Sequence, residues 1–342
     1  MFRLLLILIL AAPLIQTLAA DNSFTGTLLV ANRNGGSVSM YDLPTRTEIA
    51  RLPIGPVIPH EMAASPDGRW AVTSEYGTGG NPGRHVIVID VPAAEIVSRI
   101  DLGPNSRPHS LWFLQDSRHL VATLENSDRL ALIDIQDETV VRTWPTGGRE
   151  SHMVRLAPDD SRAYVASRGD GTMSVIDLNN DRAPTVMPTG SRAEGIGVSP
   201  DGSEVWIANQ GESTISIIDT RSLEIIDTIG GIATNRIEFL PDGTAVIPGG
   251  SSADGSVRYV TFYDGETKQA TRRLELPGST AFGTGVRLLS AGEALFLADS
   301  AINEVSVLSR ASSLSREVID NNPDNIDGMA WSPLRLNIMS GR

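Results

Sequence analysis

Residues 195–219, GIGVSPDGSEVWIANQGESTISIID, decide the fold. A Pro-Asp-Gly turn, Pro200-Asp201-Gly202, joins the apolar runs Gly195 to Val198 and Val205 to Ala208, and a third run, Ile215 to Ile218, ends at Asp219. A fourth, Glu224 to Ile229, follows. Runs this short, rich in Val and Ile and separated by Gly, Pro, Asn and Asp, read as four β-strands. The pattern recurs at Pro66-Asp67-Gly68 with Val86-Ile87-Val88-Ile89-Asp90, at Pro158-Asp159-Asp160 with Val175-Ile176-Asp177, and at Pro241-Asp242-Gly243 with Phe262-Tyr263-Asp264. Such a unit cannot bury its own apolar face, so the copies must stack.

Two degenerate copies fit the same ruler, Gln115-Asp116-Ser117 with Leu132-Ile133-Asp134 and Ser290-Ala291-Gly292 with Val305 to Ser309. Four copies keep one turn-to-close spacing (115 to 134, 158 to 177, 200 to 219, 290 to 309). The copies at Pro66 and Pro241 are longer, with the excess assigned to Gly77-Thr78-Gly79-Gly80 and Gly249-Gly250-Ser251-Ser252, since loops tolerate insertion. A seventh copy is split. Leu28 to Asn32 and Val38 to Asp42 are its later strands, and Gly328-Met329-Ala330-Trp331-Ser332-Pro333 supplies the first from the far end of the chain. Pairing the two ends leaves no long open sheet edge. The expected fold is all-β: a seven-bladed propeller of four-stranded blades, closed by a C-terminal strand joining the N-terminal blade.

Length alone suggests about two domains, but the repeat is continuous, so residues 21–342 are expected to form one. Residues 1–20 read as a signal peptide: Arg3, the apolar run Leu4 to Leu10, then small residues at Thr17-Leu18-Ala19 or Leu18-Ala19-Ala20. A periplasmic or secreted location follows, and an uncleaved anchor is the alternative. No later segment is long and apolar enough to span a bilayer. The absence of cysteine excludes disulfides, thiolate ligands, thioether-linked haem and a cysteine nucleophile. A net charge of −13 with a single lysine, Lys268, argues against nucleic acid and lysine-based phosphate loops. A monomer is expected, with a small molecule or a protein as partner.

Tyr164-Val165-Ala166-Ser167, Val205-Trp206-Ile207-Ala208-Asn209 and Leu29-Val30-Ala31-Asn32, with Ser-Pro-Asp-Gly upstream and Ile-Asp downstream, resemble the YVTN-type seven-bladed propellers. The resemblance covers nearly all of the chain after residue 20. It implies a superfamily that includes secreted binding proteins, sugar-lactone hydrolases and the propellers of haem nitrite reductase and copper nitrous oxide reductase. Fold alone does not choose among these, and no catalytic set maps onto this sequence residue by residue.

In a propeller the start of each innermost strand and the end of each second strand meet at one face, opposite the Pro-Asp-Gly turns. Six residues before each turn stand His60, His109, His152, Glu194, Asn235, Thr284 and Asp327. Nine residues after it, with Asn32 placed by pattern, stand Asn32, Glu75, Leu124, Ser167, Asn209, Gly250 and Asp299, followed by Arg33, Glu125 and Arg168 among others. His60, His109 and His152 are candidate ligands for a divalent metal. The same ring, with Glu194, Asn235, Asp327, Glu75, Asn209, Asp299 and Arg168, is also a candidate site for a polar or anionic ligand, or a water-filled opening without one. His85 and His119 fall elsewhere and read as surface residues.

Three functions remain open: a non-catalytic exported propeller, a metal-assisted lactone or ester hydrolase, and a redox accessory protein with a noncovalent cofactor. No serine-hydrolase Gly-x-Ser-x-Gly occurs, and His60-Glu61-Met62-Ala63-Ala64 lacks the second histidine of a zinc-protease helix. The acidic runs 320–325 and 177–182 lack the order of a calcium loop.

Overall fold

The computed structural model describes residues 24–104, 106–251, 257–277, 286–291, 294–309, 315–322 and 324–337. The leader assigned to residues 1–20 and the ring position Thr284 lie outside them. The described chain forms seven antiparallel sheets of four strands each, set in a ring, and no helix occurs among the described residues. Correspondingly, none is present there that could cross a membrane.

Blades 1 to 6 follow one another along the chain. Their innermost strands are Pro59–Ala64, Pro108–Phe113, Ser151–Leu156, Ala193–Val198, Glu238–Phe239 and Val286–Ala291. Blade 7 is shared by the two ends of the chain, as the split copy required. Ile326–Ser332 lies innermost and pairs antiparallel with Thr27–Asn32, with Thr27 opposite Ser332 and Val30 opposite Met329.

The strand sequences follow from this geometry. The second strand of a blade has a neighbouring blade over each face, so its apolar run is nearly unbroken rather than alternating; Thr27–Asn32 is buried along its whole length. The outermost strands, such as Ile225–Gly230, face water and are largely exposed. The core is correspondingly divided. One hydrophobic cluster fills each gap between adjacent blades, seven clusters for seven gaps. An open arc of seven blades would have one fewer, so the cluster joining Met40 and Ala330 of blade 7 to Ala71 and Ile87 of blade 1 is the closing one.

The Pro-Asp-Gly turns do more than reverse the chain. Ser65 Oγ donates to Asp67 Oδ1 at 2.6 Å and accepts from the Trp70 amide at 2.9 Å, which fixes the turn. Gly68 has φ +76°, a conformation that disfavours a side chain, and a Cβ there would lie 2.5 Å from Pro333 of blade 7. Turn chemistry and blade packing meet at one residue. Blade 6 departs from the ruler. Ala291 pairs with Ala294, leaving only residues 292 and 293 between its first two strands, where other blades use a longer turn.

Ring closure is testable at Gly328. A Cβ there would meet His60 O at 2.3 Å and the backbone of Glu61 and Met62 at 2.8 Å. Gly328→Ala is expected to cost about 1–3 kcal/mol through overpacking. It should lower the urea midpoint at unchanged slope, whereas Gly79→Ala, with nothing within 4 Å, should change stability by less than about 0.5 kcal/mol.

Candidate functional site

The site is assembled by a recurrent irregularity. In blades 1, 2, 3, 4 and 7 the innermost strand carries one extra residue against its partner. The register skips at His60-Glu61, His109-Ser110, His152, Glu194 and Asp327-Gly328. A β-bulge leaves its extra residue unpaired and re-aims the side chain. Here five bulges bring polar side chains to one end of the central channel. That end is a mouth of about 330 Å³ lined by His60, His109, His152, Glu194, Asn235 and Arg168, with Arg33, Tyr76, Arg192, Gln210, Arg236 and Arg287.

The three histidines lie in contact, all buried. His60 Nδ1 donates to the Asp327 carboxylate. His60 Nε2 and His109 Nε2 lie 2.9 Å apart and share one hydrogen bond. His109 Nδ1 and His152 Nδ1 are buried without a hydrogen-bond partner. His109 and His152 stack with ring centres 3.8 Å apart, and Tyr76 covers His60 at 4.5 Å. Burial, then the neighbouring imidazoles and the charges of Arg236 and Arg168, holds His109 well below the ordinary imidazole value. Burial also lowers His152, although Glu125 and Glu194 oppose the shift. Both rings are neutral at pH 7.

Every carboxylate here has a guanidinium partner. Asp327 accepts from Arg33 at 3.0 Å and Arg287 at 2.7 Å. Burial alone would raise its carboxyl, but Arg287, His60 and Arg33 outweigh burial and hold it far below the usual range. Glu61 pairs with Arg236, and Glu194 with Arg192 at 2.7 Å. Glu125 accepts from Tyr76 Oη at 2.9 Å and from Arg168 at 3.1 Å. Burial would raise Glu125, yet its approach to His152 and the charges of Arg107 and Arg168 hold it at about 2. Arg107 in turn stacks on Tyr76 at 4.0 Å.

The structure sorts the sequence candidates into two groups. His60, His109, His152, Glu194, Asn235 and Arg168 line the mouth, and Asp327 lies directly behind His60. Glu75, Asn209 and Asp299 lie outside it, each engaged elsewhere. Glu75 pairs with the half-buried His85, Asn209 donates to Ser216 Oγ at 2.9 Å and the Thr189 carbonyl at 3.2 Å, and Asp299 forms a buried ion pair with Arg258 at 3.0 Å. The nine-residue count fell one short. The tenth residue after the turn, just past the end of the second strand, reaches the mouth as Tyr76, Arg168 and Gln210, with Arg33 following Asn32 in blade 7, and Glu125 lies behind Tyr76 and Arg168. His119 is half-buried against Asp116 at 2.6 Å.

Six further residues went unread in the sequence: Tyr76, Arg107, Arg192, Gln210, Arg236 and Arg287. Arg287 takes the ring position in blade 6. The shortened hairpin defeats the count from the turn, whereas counting back from the strand end at Asp299, opposite Val286, finds it.

The donors for a metal do not converge as a triad of histidines. Among the described residues, two overlapping groups bring ligand atoms within 4.8 Å of one another: His60 with Glu61 and His109, and His109 with Glu125 and His152. Imidazole lone pairs lie in the ring plane, so the stacked His109 and His152 do not aim at one point from their faces. Both carboxylates already hold arginines. A cation would meet repulsion of about 4 kcal/mol per unit charge from a guanidinium about 4 Å away at a protein-like dielectric.

Seven four-stranded blades around a channel with a histidine- and arginine-lined mouth define a β-propeller whose polar apparatus is gathered at one end. Residues 17–275 match the YNCE-like beta-propeller family, and the chain belongs to it. A structure from Desulfotomaculum acetoxidans DSM 771, described as a functionally unknown protein, is 14% identical at a TM-score of 0.70, covering 92% of this chain and 100% of its own. The hydrazine synthase of Kuenenia stuttgartiensis is 18% identical at 0.61, covering 75% and 80%. At such identities the likeness concerns the fold. No curated protein matches the sequence.

The depressed histidines set a pH dependence. The unfolded chain takes up protons near the ordinary imidazole pKa of 6.5 that folded His109 and His152 refuse. Their contribution to stability is therefore complete above that value and is lost as pH falls below it. The melting temperature should drop between about pH 7 and 5, before the carboxylates titrate. Scanning calorimetry across that range should give a shallower slope for His109→Gln.

Proposed function

We propose that this protein is an exported, non-catalytic propeller that binds a small anionic molecule at its channel mouth. The observation that carries this reading is the imbalance of hydrogen-bonding capacity around the histidines. Arg33, Arg107, Arg168, Arg192, Arg236 and Arg287 surround five carboxylates, Glu61, Glu125, Glu150, Glu194 and Asp327, and each carboxylate is already in contact with a guanidinium. A guanidinium carries five N–H donors in a planar fork that matches carboxylate and phosphate. Arg33, Arg168 and Arg192 are partly exposed, so donors remain for a ligand while each buried carboxylate already holds a guanidinium. Neutral His109 and His152 supply further polar contacts without adding positive charge. Export rests on the leader-like composition of residues 1–20.

The unpartnered His109 Nδ1 favours a second reading, a metal-assisted hydrolase in which His109 holds a divalent ion either with His60 and Glu61 or with Glu125 and His152. That reading requires Arg236 to release Glu61, or Arg168 to release Glu125. Calorimetric titration with phosphate, malonate and citrate separates the two. The anion reading expects saturable binding that weakens about tenfold or more in Arg168→Gln, the loss of one charge-assisted hydrogen bond. Binding of none of the three anions, together with stoichiometric zinc, copper or iron that disappears in His109→Ala, would replace it with the metal reading.

A further inference from the structure

The opposite end of the channel holds a second cavity with different chemistry. Three residues before each turn, and at the matching register in blade 6, the innermost strands place Ala63, Trp112, Arg155, Gly197, Glu238, Leu289 and Ala330. Small residues at three of these positions leave space that Trp112, Arg155, Glu238 and Leu289 do not fill. The result is a cavity of about 340 Å³ whose walls include Trp112, Leu289, Met153 and Trp331. It adjoins a hollow of about 420 Å³ lined by Gly197 and Phe239. Arg236 and Arg287 border both this cavity and the mouth, and their pairing with Glu61 and Asp327 forms the partition between the two ends.

Arg155 is the polar centre of the lower cavity. Its guanidinium carbon stacks 4.2 Å from the centre of the Trp112 ring, and its Nη1 donates to the Val154 carbonyl at 3.0 Å. Nη2 lies 3.6 Å from Glu238 Oε2, longer than a hydrogen bond. Glu238 accepts from the Ser290 amide at 3.2 Å. Burial pushes the Glu238 carboxyl up despite Arg155, so this acid neutralises Arg155 weakly. A guanidinium held on an indole face, among apolar walls and loosely paired, matches a carboxylate head on an apolar body.

We propose that the lower channel is a second binding site, for a small amphipathic monocarboxylate. Its carboxylate is held by Arg155, and its apolar part lies against Trp112, Leu289 and Trp331. This site is independent of the anion mouth. The partition keeps the ligand from reaching the histidines.

Tryptophan fluorescence and calorimetry with hexanoate and phenylacetate test this, with hexylamine as the counter-probe. Both acids should quench fluorescence and bind saturably to the wild-type chain. Arg155→Gln should weaken them about tenfold or more, whereas Glu238→Gln, which removes the competing acid at the same volume, should leave them as tight or tighter. The two changes act in opposite directions, which damage to the fold would not produce. Arg168→Gln in the mouth should leave hexanoate binding unchanged. The proposal is overturned if neither acid binds, if binding survives Arg155→Gln, if Arg168→Gln abolishes it, or if hexylamine binds in place of the acids.

Discussion

The pairing of Ile326–Ser332 with Thr27–Asn32 is the constraint on which the rest of the molecule depends. Without it, the clusters between blades would lie along an open arc, and residues from remote parts of the chain would not share a channel. With it, His60 and Asp327, 267 positions apart in sequence, are brought into a hydrogen bond. Arg33 and Asp327, 294 positions apart, meet at 3.0 Å. The closing contact also belongs to the mouth, because Asp327 lies on the closing strand and orients His60. Arg335 extends the latch beyond that strand, reaching Asp42 at 2.7 Å. The ring's stability and the order of the histidines are therefore linked through one strand.

Gathering so many ionised groups in a buried place is costly unless each is paired. The mouth meets that condition with arginine rather than lysine. A guanidinium remains charged under desolvation and can bond two carboxylates at once. Arg168 does this, contacting Glu125 at 3.1 Å and Glu150 at 2.9 Å. Removing one member of such a pair leaves an uncompensated buried charge, a penalty of about 3–5 kcal/mol. The network is consequently rigid, and a rigid set of donors loses little entropy when a ligand arrives. The chain as a whole is acidic, at −13, so the basic mouth is a local arrangement that net charge does not reveal.

The fold was legible because repetition writes it seven times, and a weak copy such as Gln115-Asp116-Ser117 is rescued by its neighbours. The first ring was legible for a related reason: its members occupy the same bulge in successive blades, so counting from the turn finds His60, His109, His152 and Glu194. Counting failed where the backbone departs from the repeat. Two residues between Ala291 and Ala294 shift blade 6 and hide Arg287. One residue of error placed the second ring on the strand-end residues Glu75 and Asn209, which are tied into their own blades or loops, rather than on Tyr76 and Gln210, whereas Arg33, Glu125 and Arg168 were reached as the residues that follow it. Arg107 stands two residues before His109, as Arg192 does before Glu194, and Arg236 follows Asn235 as its partner Glu61 follows His60, so a count confined to the ring position itself passes them by. Composition also concealed the lower cavity. Ala63, Gly197 and Ala330 look unremarkable one by one, and their effect appears only when they share a level of the channel.

The two ends of that channel differ because the same strands serve them at different depths. At the bulge the chain can present large polar groups, since the extra residue is freed from the ladder and aimed inward. Three residues further along, regular pairing has resumed and the channel is narrowed by backbone on all sides, so space exists only where side chains are small. Arg236 and Arg287 stand at the boundary, each held by a carboxylate, and each is seen from both sides. An anion entering from the mouth side meets those guanidiniums with their best acceptors already in place. It must therefore be bound chiefly by the outer arginines. The partition thus sets the depth to which a ligand descends.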